Sequence, residues 1–204
     1  MARWRAAMGG TLVGLAAVVL VAGSTGPAAA QKATAKKSAK GKAEPLPLNE
    51  KVLDFAKKKI GEQVGDGECW ALANEAVLAA GGKSSPGYTD FPAQGDYVWG
   101  DLVFGVTAKD GKQTEDAVVG KLKVSPGDIV QFRDAKFTGP RPGGGSYTST
   151  APHHTAVVAA VSPDGKTLGV YHQNVSGKRT VSDAVFALRD LREGWVRVYR
   201  PLPR

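Results

Sequence analysis

Apolar residues follow two different spacings along this chain. From Asn49 to Ala80 they recur at helical intervals. Leu53, Ala56 and Ile60 share one face of a helix that Asn49 is placed to cap and Gly61 to end. Trp70, Ala73, Val77 and Ala80 form the stripe of a second helix, predicted from Cys69 to Ala80 and stopped by Gly81-Gly82. Between 83 and 124 no single period wins, and Gly87, Pro92, Gly95 and Gly100 suggest irregular chain around Tyr97 and Trp99. Beyond Pro126-Gly127 the pattern becomes that of strands. Asp128–Arg133, His154–Val161, Thr167–Val175 and Trp195–Tyr199 are predicted strands, with Ser162-Pro163-Asp164-Gly165 as a hairpin turn. Phe137–Pro152, rich in Gly and Pro, reads as a long loop, and its Gly139–Tyr147 stretch as surface loop or lid. Helices first and an antiparallel meander afterwards predict an α+β fold.

The 204 residues carry a net charge of +8, which invites a nucleic-acid reading until the charge is located. Seven of the 27 basic residues precede position 43 and none of the 19 acidic ones does, so the remainder stands at +1. A nucleic-acid partner is therefore not expected. Arg3 and Arg5, the apolar run Leu12–Ala22 and the small residues Ala28 and Ala30 read as a secretory signal peptide over residues 1–30. Residues 31–44, rich in Lys and Ala, have no apolar face to bury and read as a disordered linker. Its five lysines offer at most a weak tether to an anionic wall polymer or membrane surface. The expected mature protein is a secreted or cell-envelope monomer with no transmembrane helix, folded over residues 45–204.

A single cysteine excludes an intramolecular disulfide and directs attention to its chemistry. Cys69 falls at the predicted start of the second helix, where backbone N–H groups and the helix dipole favour a thiolate. His154 opens a predicted strand, and His172 and Asn174 lie together on the next. A nucleophile, a base and an orienting polar group in those places form a candidate Cys–His–polar triad. His153 alternates away from His154 and reads as a loop residue or substrate contact. The competing readings are a buried, inert thiol and a zinc site from Cys69, His154 and His172, which lacks a fourth ligand. Trp70, Tyr97 and Trp99 read as core.

Several segments resemble a known superfamily. GECWALA (Gly67–Ala73), with Gln63 six positions before the cysteine, resembles the papain-superfamily nucleophile segment and its oxyanion-hole glutamine. PGDIVQF (Pro126–Phe132), HHTAVV (His153–Val158) and HQN (His172–Asn174) are similar to the second half of CHAP amidases and NlpC-type cell-wall peptidases. The order also resembles a cysteine-proteinase-like domain at the end of some fungal actin-patch proteins. The resemblance spans roughly residues 49–200 and implies a papain-like fold with helices packed on the meander. It implies Cys69 as nucleophile, His154 as general base, Asn174 or His172 as orienting group, and Gln63 with the Cys69 backbone N–H at the oxyanion. It implies amide hydrolysis through a thioester, with peptides or peptidoglycan as substrate and no cofactor or metal. The glutamate of the CHAP pattern is replaced by His172. That departure leaves open an inactive binding module, and a transferase passing the thioester to an amine is a third reading.

Overall fold

The computed structural model describes residues 47–85, 97–116 and 122–204. The expected signal peptide and the whole lysine-rich linker lie outside the described residues. Helix α1 runs over Leu48–Lys58 and α2 over Cys69–Ala79. The strands are β1 (Asp101–Lys109), β2 (Lys112–Glu115), β3 (Ile129–Pro140), β4 (Ser146–Val161), β5 (Thr167–His172), β6 (Ser182–Ala187) and β7 (Leu191–Arg200). They form one sheet in the order β2-β1-β7-β3-β4-β5-β6, with every pairing antiparallel. The α+β architecture expected from the sequence, two helices followed by an antiparallel sheet, is therefore present.

Helix α1 starts at Leu48, capped by the extended Pro47. Asn49 is not its cap: the amide of Asn49 donates to Asp128 at 2.6 Å. Asp128 is fully buried, accepts two bonds from Arg200 at 2.7 and 3.1 Å, and accepts the Ser125 backbone N–H at 2.8 Å. This carboxylate joins α1, the turn before β3 and the end of β7, which explains the aspartate of the PGD segment. Gly127 sits at φ +85°, and a Cβ there would lie 2.0 Å from the Asn49 carbonyl oxygen, so the turn tolerates only glycine.

The predicted loop Phe137–Pro152 is instead two strand arms. Phe137 pairs with Ser149, Thr138 with Thr148 and Gly139 with Tyr147, extending the β3–β4 hairpin to a tip at 141–145. Its β-branched and aromatic residues fit a pleated surface, and Gly143, Gly144 and Gly145, all at positive φ, confine the irregular chain to the tip. Strands β1, β2 and β6 are further additions to the predicted set.

The two faces of the sheet bury different sets. Val52, Ala56, Leu72, Ala76 and Val77 of the helices pack with Trp99, Ile129, Val157 and Tyr199 on one face. Val130, Phe132, Ala156, Val158, Val170, Leu191 and Val196 point to the other. The sheet coils, as strand twist requires, so that Phe186 of β6 packs on Phe132 of β3 with centroids 4.6 Å apart, across two intervening strands. The far face thus encloses a core of its own.

Candidate active site

Cys69 is the first residue of α2, half-buried, and the chain reaches it through a tightly fixed segment. Gly65 and Gly67 take φ of +57° and +83°, and a Cβ on Gly67 would press on Arg179 at 2.8 Å and Gln63 at 3.0 Å. Gln173, fully buried, clamps this segment from beyond β5. Its Nε2 donates to the Val64 and Glu68 carbonyls at 2.9 and 2.7 Å, and its Oε1 accepts the Val64 N–H at 3.1 Å. Glu68 pairs with Arg179 at 3.0 Å and accepts a hydrogen bond from Asn174.

The thiol lies beside Thr155 of β4 and the backbone of Trp70, whose polar groups favour the ionised sulfur. These contacts lower its pKa, but burial, the largest influence, and the neighbouring Glu68 raise it, and the net direction is upward. The thiolate expected from the helix terminus is accordingly not the resting form. Desolvation outweighs the dipole, and the thiol needs a base.

Strand alternation decides which histidine can supply one. Side chains two apart share a face, so His153, Thr155 and Val157 point toward the helices, and His154, Ala156 and Val158 point away. His154 is only 8% exposed and packs beside Phe132, with Nε2 3.1 Å from His172 Nδ1. His172, 6% exposed, faces Phe186. Burial lowers the pKa of both imidazoles; for His154, with the help of His172 and His153, it falls to about 3. Strand alternation thus puts His154 and His172 on the face of the sheet away from the helices, opposite the side of β4 that Thr155 presents to Cys69. No group of three or more His, Cys, Asp and Glu suited to a metal occurs among the described residues.

On the helix face, His153 is exposed and stacks on Tyr97, with centroids 5.8 Å apart and planes at 20°. Tyr97 stacks in turn on Trp70 at 6.3 Å. Its hydroxyl pKa is raised by burial and then by the proximity of Cys69, which puts Tyr97 next to both the thiol and His153. Trp99 is core, as expected, whereas Trp70 and Tyr97 are half-buried beside the thiol. Gln63 is exposed and donates to the Gly65 carbonyl at 3.3 Å, within the loop before Cys69. Asn174, at φ +60°, engages Glu68 rather than an imidazole.

Thr155 and Gln173 are neighbours of the thiol segment that sequence reasoning missed, while His153 was read as a loop residue or substrate contact and not as a base. The signal for His153 and Thr155 was the two-residue period from Val157, had the helix-facing side been known. A recess of about 330 Å³ lies where β4 and β5 diverge, lined by His153, His154, His172, Asn174 and Phe186 among others. A larger one of about 510 Å³, bordered by Val103, Val106 and Leu188, contains no cysteine or histidine and is remote from this chemistry.

A helix-borne cysteine facing an antiparallel sheet matches a described family over the whole folded region. The profile of the AIM3/BBC1 cysteine proteinase-fold domain covers residues 47–204. The chain belongs to that family. Altered inheritance of mitochondria protein 3 of Debaryomyces hansenii is 32% identical over 163 residues, which include 76% of this chain and 16% of that protein. The chain thus spans about one sixth of that relative's length. Among solved structures, Ly7917 with the hydrolyzing product of MDP aligns with a TM-score of 0.42 and 23% identity, over 76% of this chain and 63% of that one. Membership of a cysteine proteinase-fold family agrees with the papain-like fold that the resemblance implied.

Proposed function

We propose that this domain is a cysteine amide hydrolase in which Cys69 is the nucleophile and His153 the general base. One observation carries the reading. The Cys69 thiol meets Thr155, and His153 is the imidazole two residues away on the same face of β4. His153 takes the thiol proton as sulfur attacks the amide carbonyl, and returns it to the leaving amine when the thioester forms. Water then releases the acid and regenerates the thiol. The Cys69 backbone N–H stabilises the oxyanion, joined by Gln63 once its amide leaves the Gly65 carbonyl. Asn174 acts one step back, fixing Glu68 at the mouth of the site.

The substrate is a peptide amide, with peptidoglycan peptides the narrower choice that the CHAP-like and NlpC-like motifs support. Leader-like residues 1–30 support an exported protein, and the lysine-rich stretch 31–44 a weak tether to an anionic surface. Release of new amino groups from purified peptidoglycan and from a peptide panel tests the reading. Release by the full chain that disappears in Cys69→Ala is expected. Equal release by both would overturn it. A second reading, a binding module without turnover, is favoured by the burial that keeps the thiol protonated and by Gln63 being turned to Gly65.

A further inference from the structure

Behind Cys69, three polar side chains cross the helix-facing apolar layer. Thr155 on β4 and Gln131 on β3 stand directly opposite each other and are both fully buried. The Thr155 hydroxyl donates to Gln131 Oε1 at 2.7 Å, while Trp99 Nε1 reaches the same oxygen only at 3.5 Å. Gln131 Nε2 is buried and has no partner among the described residues. On its other side, Thr155 meets the Cys69 thiol.

A hydroxyl has one proton to give. While Thr155 gives it to Gln131, its oxygen can only accept, and Cys69 S–H is the donor it faces. An ionised sulfur reverses the requirement, because a thiolate only accepts. The Thr155 proton must then turn to sulfur, and Gln131 Oε1 loses its short bond. The amide oxygen and the thiolate compete for a single proton.

We propose that Gln131 is a positioning residue that sets the acidity of Cys69 through the Thr155 hydroxyl. The unpartnered Nε2 gives the device a second setting. A half-turn of the amide presents N–H to Thr155 Oγ1, freeing the hydroxyl proton for sulfur at the cost of the long Trp99 Nε1–H contact to Oε1. Only hydrogen bonds change; no covalent bond is made or broken. The inference deepens the nucleophile reading and rests on it, but its test needs no substrate. Glu68 beside the thiol, Arg179 paired with Glu68, Tyr97 and His153 across the site, and Asp66 near Tyr97 are the other ionisable groups, and the variants below leave all of them in place.

The test is the rate of iodoacetamide labelling of the full chain from pH 7 to 11.5. Cys69 is its one cysteine, so the midpoint of the profile reports that thiol directly. Thr155→Val is expected to raise the midpoint by about one pH unit and Thr155→Ser to leave it near the starting value. Gln131→Met is expected to lower it by roughly half a unit or more, and to have no effect in the Thr155→Val background. A midpoint unchanged or raised by Gln131→Met, or lowered equally in both backgrounds, overturns the proposal. Should Gln131→Met not fold, equal midpoints for Thr155→Ser and Thr155→Val overturn it instead. Loss of hydrolysis with these shifts intact would count against the enzyme and not against the relay.

Discussion

Replacing His154 by Phe should flatten the acid side of the stability profile. The side chain is 8% exposed between Phe132 and His172, a setting that accepts an aromatic ring of similar size. Its pKa is about 3 when folded, against an ordinary value near 6.5. The unfolded chain therefore binds more protons than the folded one below pH 6.5, and stability falls as pH falls through that window. One such group changes the unfolding free energy by about 1.4 kcal/mol per pH unit. Between pH 6.5 and 5 the loss from His154 is about 2 kcal/mol, and the lowered pKa of His172 acts in the same direction. The chain has three histidines, so few other groups titrate there. Urea unfolding of wild type and His154→Phe at pH 7.5 and 5 measures the difference. The variant should lose about 2 kcal/mol less than wild type over that interval, whatever its stability at pH 7.5. Equal losses in the two proteins would refute the buried-pair argument.

Other consequences follow from the segments that hold the site. Asp128→Ala strands Arg200 and removes the link between α1 and β7; unfolding should become easier by about 3–5 kcal/mol, measured by urea titration. Gly127→Ala meets both a positive φ and the Asn49 carbonyl, and should lower the melting temperature by at least about 5 °C in a thermal scan. Gln173→Leu leaves the Val64 N–H and the Val64 and Glu68 carbonyls without their buried partner, at about 1–3 kcal/mol for each group. The same variant should alter Cys69 labelling at pH 7.5, because the loop that presents the thiol is released; a rate equal to wild type would mean the clamp is dispensable.

The parts of the fold that were legible in the sequence were those written in local chemistry. Helix α2 begins at Cys69 and ends just before Gly81-Gly82, and the β4–β5 turn falls on Ser162–Gly165, because caps and turn residues act over a few positions. Strands β1, β2 and β6 were not legible. Strand β2 is exposed throughout, and β6 carries no clean alternation of burial, so neither leaves a period to read. The 137–152 hairpin was hidden by its Gly and Pro content, although the glycines are concentrated at the tip. The histidine assignment turned on a single register choice. His154 to Val161 is apolar on both faces, since each face of the coiled sheet covers a core. A one-residue ambiguity therefore decides which of His153 and His154 faces the helices. Which face α2 covers is a tertiary fact, and no spacing within β4 encodes it.

The central claim, that Cys69 works with His153 across one face of the sheet, is tested most directly by acylation with an activated ester. The burst of p-nitrophenol from p-nitrophenyl acetate at pH 7.5 reports attack by the thiol assisted by its base. The account predicts no burst in Cys69→Ala, a burst slowed about 10²-fold in His153→Ala, and a rate within about threefold of wild type in His154→Phe. A burst unaffected by His153→Ala but abolished in a folded His154→Phe protein would contradict it.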